Sequence, residues 1–413
     1  MLEELVAGAQ LPLWRVSAIV TDSYFNIADP CFVIDSEEVL RAREESWYVR
    51  TNYGLAVLRY DEVAELLRDR RLKQGSAAWP AHHGVEGPFA DWWSKTLLNL
   101  EGDDHARLRR LLNPVFAPKA ISDMAPRFRA LGNELVDAFA GDGRCEFVSQ
   151  FAEPYAARVI AILLGIPESE WRKIAEWGTD LGLSLSIAIR EELPRIEAAL
   201  EGLYGFADEL IADRRREAKD DFVTRLVQAE QDEDKLSHDE LRVSLVLLIF
   251  GGMDTTRNQL GLAMQTFLDR PDEWRRLAER PELAEAAVEE IMRLNPTVTW
   301  VTREAVEHFT FQGLEIEEGT TIHLFSQSAG SDPRVFEDPG FDPQAERPRH
   351  FGFGGGRHHC IGHFVARMDM SEALTLLARR LRRPRLDGKA KSLPRSGNTG
   401  PIKLPIAFEA APA

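Results

Sequence analysis

Residues 350–362 read HFGFGGGRHHCIG, one cysteine held behind a run of glycines with basic side chains interleaved. Glycine tolerates positive φ and lets a backbone come close to a flat ligand. A thiolate presented by such a loop suits a metal ion, because backbone N–H groups can turn toward the sulfur. Other chemistries compete. No Gly-Lys-Ser/Thr follows, and no G-x-G-x-x-G opens a helix after a strand, so phosphate binding is not indicated. His350, His358, His359, Cys360 and His363 could gather around zinc, yet the paired ligand spacings that structural zinc favours are missing. A merely structural Cys360 is the remaining reading.

A second group is Gly251-Gly252-Met253-Asp254-Thr255-Thr256. The carboxylate and hydroxyl of Asp254 and Thr255 are suited to moving protons. The plainer reading is a helix–helix contact that needs small residues, with Thr255 bonding back to a carbonyl one turn earlier. Two pairs of charged residues sit at helical spacing. Glu290 and Arg293 are i, i+3, and His105 and Arg109 are i, i+4, so each pair shares a helix face.

These groups need elements to hold them. Ser237 and Glu240 form a capping-box pattern with Leu236 and Leu241 at staple spacing. Helical periodicity then continues to Pro271, which predicts a helix of about 33 residues, roughly 50 Å long. It is apolar enough to cross the middle of the molecule. The Gly251-Gly252 pair predicts a local disruption there, since each glycine costs about 1 kcal/mol of helix propensity. Strand patterns are confined to Ser46–Tyr60, with a turn at Thr51-Asn52-Tyr53-Gly54, to about Thr310–Leu324, and to the C-terminal tail. The expected fold class is therefore mainly α with a smaller β portion. Because the strands come from distant segments, one domain over 1–413 is expected, with β-rich parts near 46–60, 297–325 and 386–410.

The cysteine loop resembles the haem-binding loop of the cytochrome P-450 family, the haem-thiolate monooxygenases, whose iron ligand is a cysteine thiolate. The other groups follow in the order that family shows. Gly252 to Thr255 resembles its oxygen-activation motif, with Gly251 where alanine is commoner. Glu290 and Arg293 resemble its E-x-x-R pair, taken as a support for the cysteine loop. His105, Arg109, Arg303 and His358 match its contacts to the haem propionates, and Ala366-Arg367 follows the cysteine as in that family. Departures are Ser328 to Pro333, where many bacterial members carry Asn-Arg before Asp-Pro, and His359, where an apolar residue is usual.

The resemblance implies a monooxygenase that puts one oxygen atom from dioxygen into a small apolar substrate. Haem b would be bound by His105, Arg109, Arg303, Phe353, His358, Cys360 and Gly362, with Cys360 on the iron. Thr255 would steady the bound oxygen and Asp254 would relay protons. Pocket candidates are Leu247, Phe250, Gly251, Thr299 and Val301, with Asn398 to Pro401 in the tail. Trp79, Phe89, Trp92 and Trp93 fall in the expected loop before His105, and Leu183 to Ile187 in an expected lid. Electrons would come from a ferredoxin and its reductase. Two rival readings are a peroxygenase of the same fold and a haem-binding sensor or carrier without turnover.

Composition narrows the partners. The formal charge is −17, which argues against nucleic acid. No apolar run approaches the roughly 20 residues of a membrane span, the strongest block being Leu245–Phe250. Three cysteines, and no signal-peptide pattern at the start, predict a cytoplasmic protein, and a monomer is expected. Between Gln344 and Arg385 nine Arg face three Asp or Glu, a local +6. It reads as a docking face for an acidic ferredoxin, or in part as a solvated basic helix end over Arg379–Arg385.

Overall fold

The computed structural model describes residues 23–230, 236–395 and 397–411. The chain is mainly helical with a smaller strand portion. Its axis is the helix His238–Leu268, 31 residues long, begun by a completed capping box: the Ser237 hydroxyl accepts from the Glu240 N–H, and the Glu240 carboxylate accepts from the Ser237 N–H. The helix runs unbroken through Gly251 and Gly252, which corrects the expected disruption. The reason for glycine there is space. A Cβ on Gly252 would lie 2.5 Å from Ile160 Cδ1 in the neighbouring helix Glu153–Leu164, whereas one on Gly251 would meet nothing within 4 Å. One glycine permits close helix packing and the other leaves a wall open. Around this axis pack the helices Trp171–Gly182, Leu193–Arg216, Ala284–Leu294 and His363–Arg380.

Six strands form the main sheet, in the spatial order Tyr24–Phe25, Tyr48–Thr51, Gly54–Val57, Thr321–Leu324, Val301–Ala305, Leu72–Gln74. The hairpin expected at Asn52-Tyr53 is present, with Thr51 opposite Gly54. Gly54 has φ +136°, and a Cβ there would sit 2.1 Å from the Thr321 carbonyl oxygen, so only glycine lets the next strand close. Register places Arg303 between Gln74 and Ile322, and Thr302 beside His323. A second sheet joins Leu381–Leu386, Pro405–Ala410 and Arg144–Glu146.

Two further expectations are corrected. The segment holding Trp79, Phe89, Trp92 and Trp93 is not a plain loop. It forms the helices Trp79–His82 and Pro88–Lys95, with Pro80 and Pro88 in their first turns, where proline is well tolerated. Phe89, Trp92 and Trp93 are buried along one helix face. Of Arg379–Arg385 only Arg379 and Arg380 form a helix end. The helix stops at Arg380 and the strand Leu381–Leu386 begins, because that segment pairs with Pro405–Ala410. Arg380 is buried and donates to Asp137 and to the Ala411 carbonyl. Arg379 lies sixteen residues beyond His363, about 24 Å along the helix at about 1.5 Å per residue. The basic segment is thus split between two distant places.

Candidate functional site

A cavity of about 420 Å³ lies between the long helix, the cysteine loop and the main sheet. His105, Arg109, Arg303, Phe353, His358, Cys360 and Gly362 all border it, as do Thr255, Leu247, Phe250, Gly251 and Val301. Residues separated by more than 250 positions therefore share one space. Of the tail candidates only Asn398 borders it, not Thr399, Gly400 or Pro401, and two other expected members are also missing. Thr299 is fully buried and donates its N–H (2.9 Å) and its hydroxyl (3.0 Å) to the Gly397 carbonyl. It pins the C-terminal segment and is corrected as a pocket residue. Asp254 faces a second, smaller cavity.

The cysteine loop is bent by glycines with positive φ, Gly354 at 66° and Gly356 at 67°. A Cβ on Gly356 would meet the Leu67 carbonyl oxygen at 2.3 Å. The Cys360 N–H donates to the Phe353 carbonyl at 3.0 Å. Cys360 is enclosed by protein on the outside yet its side chain opens onto the cavity. Burial pushes the thiol up, while the Gly362 N–H and the guanidinium groups of Arg109 and Arg367 act the other way. Those are the surroundings that favour a thiolate once a cation offsets the burial. Among the described residues no group of three or more His, Cys, Asp or Glu could hold a metal ion, so the zinc-cluster reading finds no support in the geometry.

Basic side chains ring the cavity. The His105 and His358 rings lie 4.4 Å apart, and His105 Nε2 is buried without a hydrogen-bond partner. Arg109 donates to the His359 carbonyl at 2.6 Å, and Arg303 to Gln74 Oε1 at 2.6 Å and to the Gly355 carbonyl at 3.2 Å. Burial lowers Arg303 to about 10 and His358 to about 4. One carboxylate answers them: Glu101 Oε1 lies 3.0 Å from His358 Nε2 and accepts from the Gln74 N–H at 2.6 Å. Burial works to raise the Glu101 carboxyl, but the Gln74 N–H and His358 outweigh it and hold it below its ordinary value. The cluster has room electrostatically for further carboxylates.

Asp254 and Thr255 are neighbours that face different spaces. The Thr255 hydroxyl borders the large cavity and donates to the Gly251 carbonyl at 2.7 Å, the back-bond that the plainer reading foresaw. Asp254 borders the second cavity, about 160 Å³. Its Oδ1 accepts from Arg257 at 2.6 Å, and its Oδ2 accepts from Asn398 at 2.7 Å and Asn258 at 3.2 Å. Arg257 also donates to Thr179 at 2.8 Å and lies 3.7 Å from Glu153, whose carboxyl burial raises. Trp79, Leu185, Trp300, Gly397 and Asn398 border both cavities and form the wall between them.

Glu290 and Arg293 form a buried bidentate pair, both contacts 2.7 Å. Arg293 also donates to the Gly330 and Gly340 carbonyls at 2.7 and 2.8 Å. Glu290 accepts from the Asp342 N–H at 3.0 Å and lies 3.5 Å from Arg347, so the pair grips residues 330–347, and among the described residues no hydrogen bond runs from it to residues 350–362. The neighbouring Glu289 does that work. It accepts from Arg367 at 2.6 Å and lies 3.1 Å from His350 Nε2. Arg367 in turn lies 4.4 Å over the Phe353 ring. Burial would raise Glu289, but His350 and Arg367 draw it down to about 2. The only sequence signal was its place in the Glu289-Glu290 doublet. Gln74, Glu101, Arg257 and His323 also escaped the sequence reading, for lack of any motif.

Comparison with known proteins places this geometry. The cytochrome P-450 family description matches residues 180–395. The luteothin monooxygenase of Streptomyces thioluteus is 36% identical over 393 residues, covering 94% of this chain and 96% of the relative. The mycinamicin IV hydroxylase/epoxidase of Micromonospora griseorubida is 32% identical over 385 residues, covering 91% and 93%. Among solved structures, the bacillaene polyketide synthase cytochrome P-450 PksS of Bacillus subtilis 168 superposes with a TM-score of 0.83 at 29% identity, covering 93% of this chain and 99% of that one.

Proposed function

The chain belongs to the cytochrome P-450 family of monooxygenases, and from that premise we propose that it hydroxylates or epoxidises a small, largely apolar organic molecule. The observation that carries this reading is Cys360, opening onto a cavity ringed by His105, Arg109, Arg303 and His358. That donor set fits haem b. Cys360 would ligate the iron, the four basic residues would take the two propionates, and the unpartnered His105 Nε2 would gain a partner. Phe353 and Gly362 border the cavity with Cys360, and the open face of Gly251 leaves room there for a flat group. When bound, the haem supplies the iron that activates dioxygen.

The chain's own residues do the rest. The Thr255 hydroxyl, its proton given to Gly251, offers lone pairs to the large cavity. Asp254 holds and passes protons from the smaller cavity, steadied by Arg257 and Asn398. Leu247, Phe250 and Val301 exclude water from the substrate space. Relatives named for luteothin and mycinamicin IV support a secondary metabolite as substrate. A ferredoxin with its reductase supplies electrons, docking where Arg349 and Arg357 are exposed near the cysteine loop. Among the described residues no helix is long and apolar enough to cross a membrane, and we read the protein as a cytoplasmic monomer.

The test is spectroscopic. Reduced protein under carbon monoxide should show the strongly red-shifted Soret band of thiolate-ligated haem, and Cys360→Ser should abolish it. Product should form with NADPH and a ferredoxin system. A band retained by Cys360→Ser, or product with peroxide but none with the ferredoxin system, would overturn the assignment.

A further inference from the structure

We infer that His323 anchors the substrate, hydrogen-bonding a hydroxyl or carbonyl oxygen on a neutral, flat aryl or conjugated molecule. The inference deepens the monooxygenase reading and rests on it. His323 lies on the strand Thr321–Leu324 opposite Thr302, and it borders the same cavity as Cys360 and Phe250. It is 3% exposed. Its Nδ1 is buried with no well-formed hydrogen bond, and the Leu55 backbone is the one hydrogen-bonding group that acts on the ring against its burial. A buried polar group left unmet is costly, so a native structure keeps one for a purpose.

The amide side chains on this cavity are engaged. Gln74 serves Arg303 and Ser76, Gln259 serves the Thr297 N–H and the Asn295 carbonyl, and Asn398 serves Asp254. His105 Nε2 and His323 Nδ1 both border this cavity without a partner; His105 lies against His358, whereas His323 lies against Trp300. Its setting selects the shape of the ligand. The Trp300 ring meets it edge-on at 5.6 Å and the Tyr53 ring lies 6.2 Å away. Trp79 and His82 continue that aromatic wall, and Phe250 and Leu247 border the same space. Planar surfaces favour a planar guest. Burial lowers His323 to about 3, so the ring is neutral at any ordinary pH. A neutral imidazole rewards a neutral oxygen and gives no charge to a carboxylate, while the cavity's cations lie toward the cysteine loop.

The experiment uses haem-loaded protein and two probes of nearly equal shape, para-phenylphenol and biphenyl, each titrated by the spin-state change in the Soret band. The wild type should bind the phenol about 3- to 10-fold tighter, the range of one neutral hydrogen bond in a desolvated site. His323→Leu should bring the ratio to about one, and His323→Gln should restore part of it. Carbon-monoxide spectra are recorded on every variant. Absence of the thiolate band in the wild type would sink the monooxygenase reading. With that band intact, an equal ratio in wild type and His323→Leu would overturn the anchor alone. So would a failure of either probe to perturb the band, because the slot must admit a flat biaryl. Should His323→Leu fail to fold, an unchanged ratio in His323→Gln with reduced haem content would assign the ring to the cofactor instead.

Discussion

Phe250 is the side chain whose removal should most change what the cavity accepts. It is 4% exposed, packs edge-to-face on Trp92 at 6.2 Å, and precedes the open face of Gly251. Phe250→Ala removes about 100 Å³ of side chain, and at about 24 cal/mol per Å³ the new space costs about 2.4 kcal/mol of stability. The space joins an existing cavity of about 420 Å³ and enlarges it by about a quarter. One pocket contact of this size discriminates between ligands by about 1–3 kcal/mol, roughly 5- to 150-fold in relative affinity. The assay is spin-state titration of haem-loaded protein with biaryl ligands of graded width, with thermal melting as a check on the fold. Wider members should gain on narrow ones in the variant. An unchanged ranking in a protein that melts a few degrees lower would show that Phe250 supports the wall without touching the guest.

Other consequences can be measured as directly. Arg293→Met should lower stability by about 3–5 kcal/mol, the cost of breaking a buried ion pair, and the double variant Arg293→Met/Glu290→Leu should recover part of it; urea midpoints equal to those of the surface change Arg276→Met would contradict this. Glu289 sits at about 2 when folded, below its ordinary 4.5, so its contribution is full above about pH 4.5 and is lost as pH falls toward 2. Glu289→Gln should therefore flatten the decline of melting temperature over that window, and parallel curves would refute it. Arg349→Glu and Arg357→Glu should slow reduction by an acidic ferredoxin and weaken its dependence on salt. Arg379→Glu and Arg383→Glu, on the remote part of the split basic segment, should change little; equal effects at all four sites would point to overall charge.

The chemistry was more legible in the sequence than the way it is aimed. Cys360 and its glycines are contiguous, and local φ requirements show in residue type. The capping box at Ser237 and the turn before Gly54 are local for the same reason. His105, Arg109, Arg303 and His358 come from three segments, and their common destination rested on resemblance alone. What the sequence hid depends on distant partners. Asp254 is turned toward the smaller cavity by Arg257 and Asn398, the latter 144 residues away. Thr299 has a pocket residue's position but spends its hydroxyl on Gly397. Arg379–Arg385 contains Pro384, which bars a helix through it, but its strand partner Pro405–Ala410 lies too far along the chain to be read from the segment itself. Glu290 is marked in the sequence by its i, i+3 spacing to Arg293, whereas Glu289 is met by His350 and Arg367 from another segment, which local spacing does not show.

The stretch 397–399 has a bearing on how the protein matures. Gly397 accepts from Thr299, Asn398 donates to Asp254, and the Thr399 N–H donates to the Thr297 carbonyl. These residues leave the ribosome after almost everything they touch. Until they arrive, the partition between the two cavities lacks a side and Asp254 has Arg257 and Asn258 as donors without Asn398. The nascent chain can build its long helix and cysteine loop early, but a closed pocket exists only once this late stretch has docked. Loss of these contacts would open the partition between the two cavities, so the stretch acts as a clasp on the substrate space.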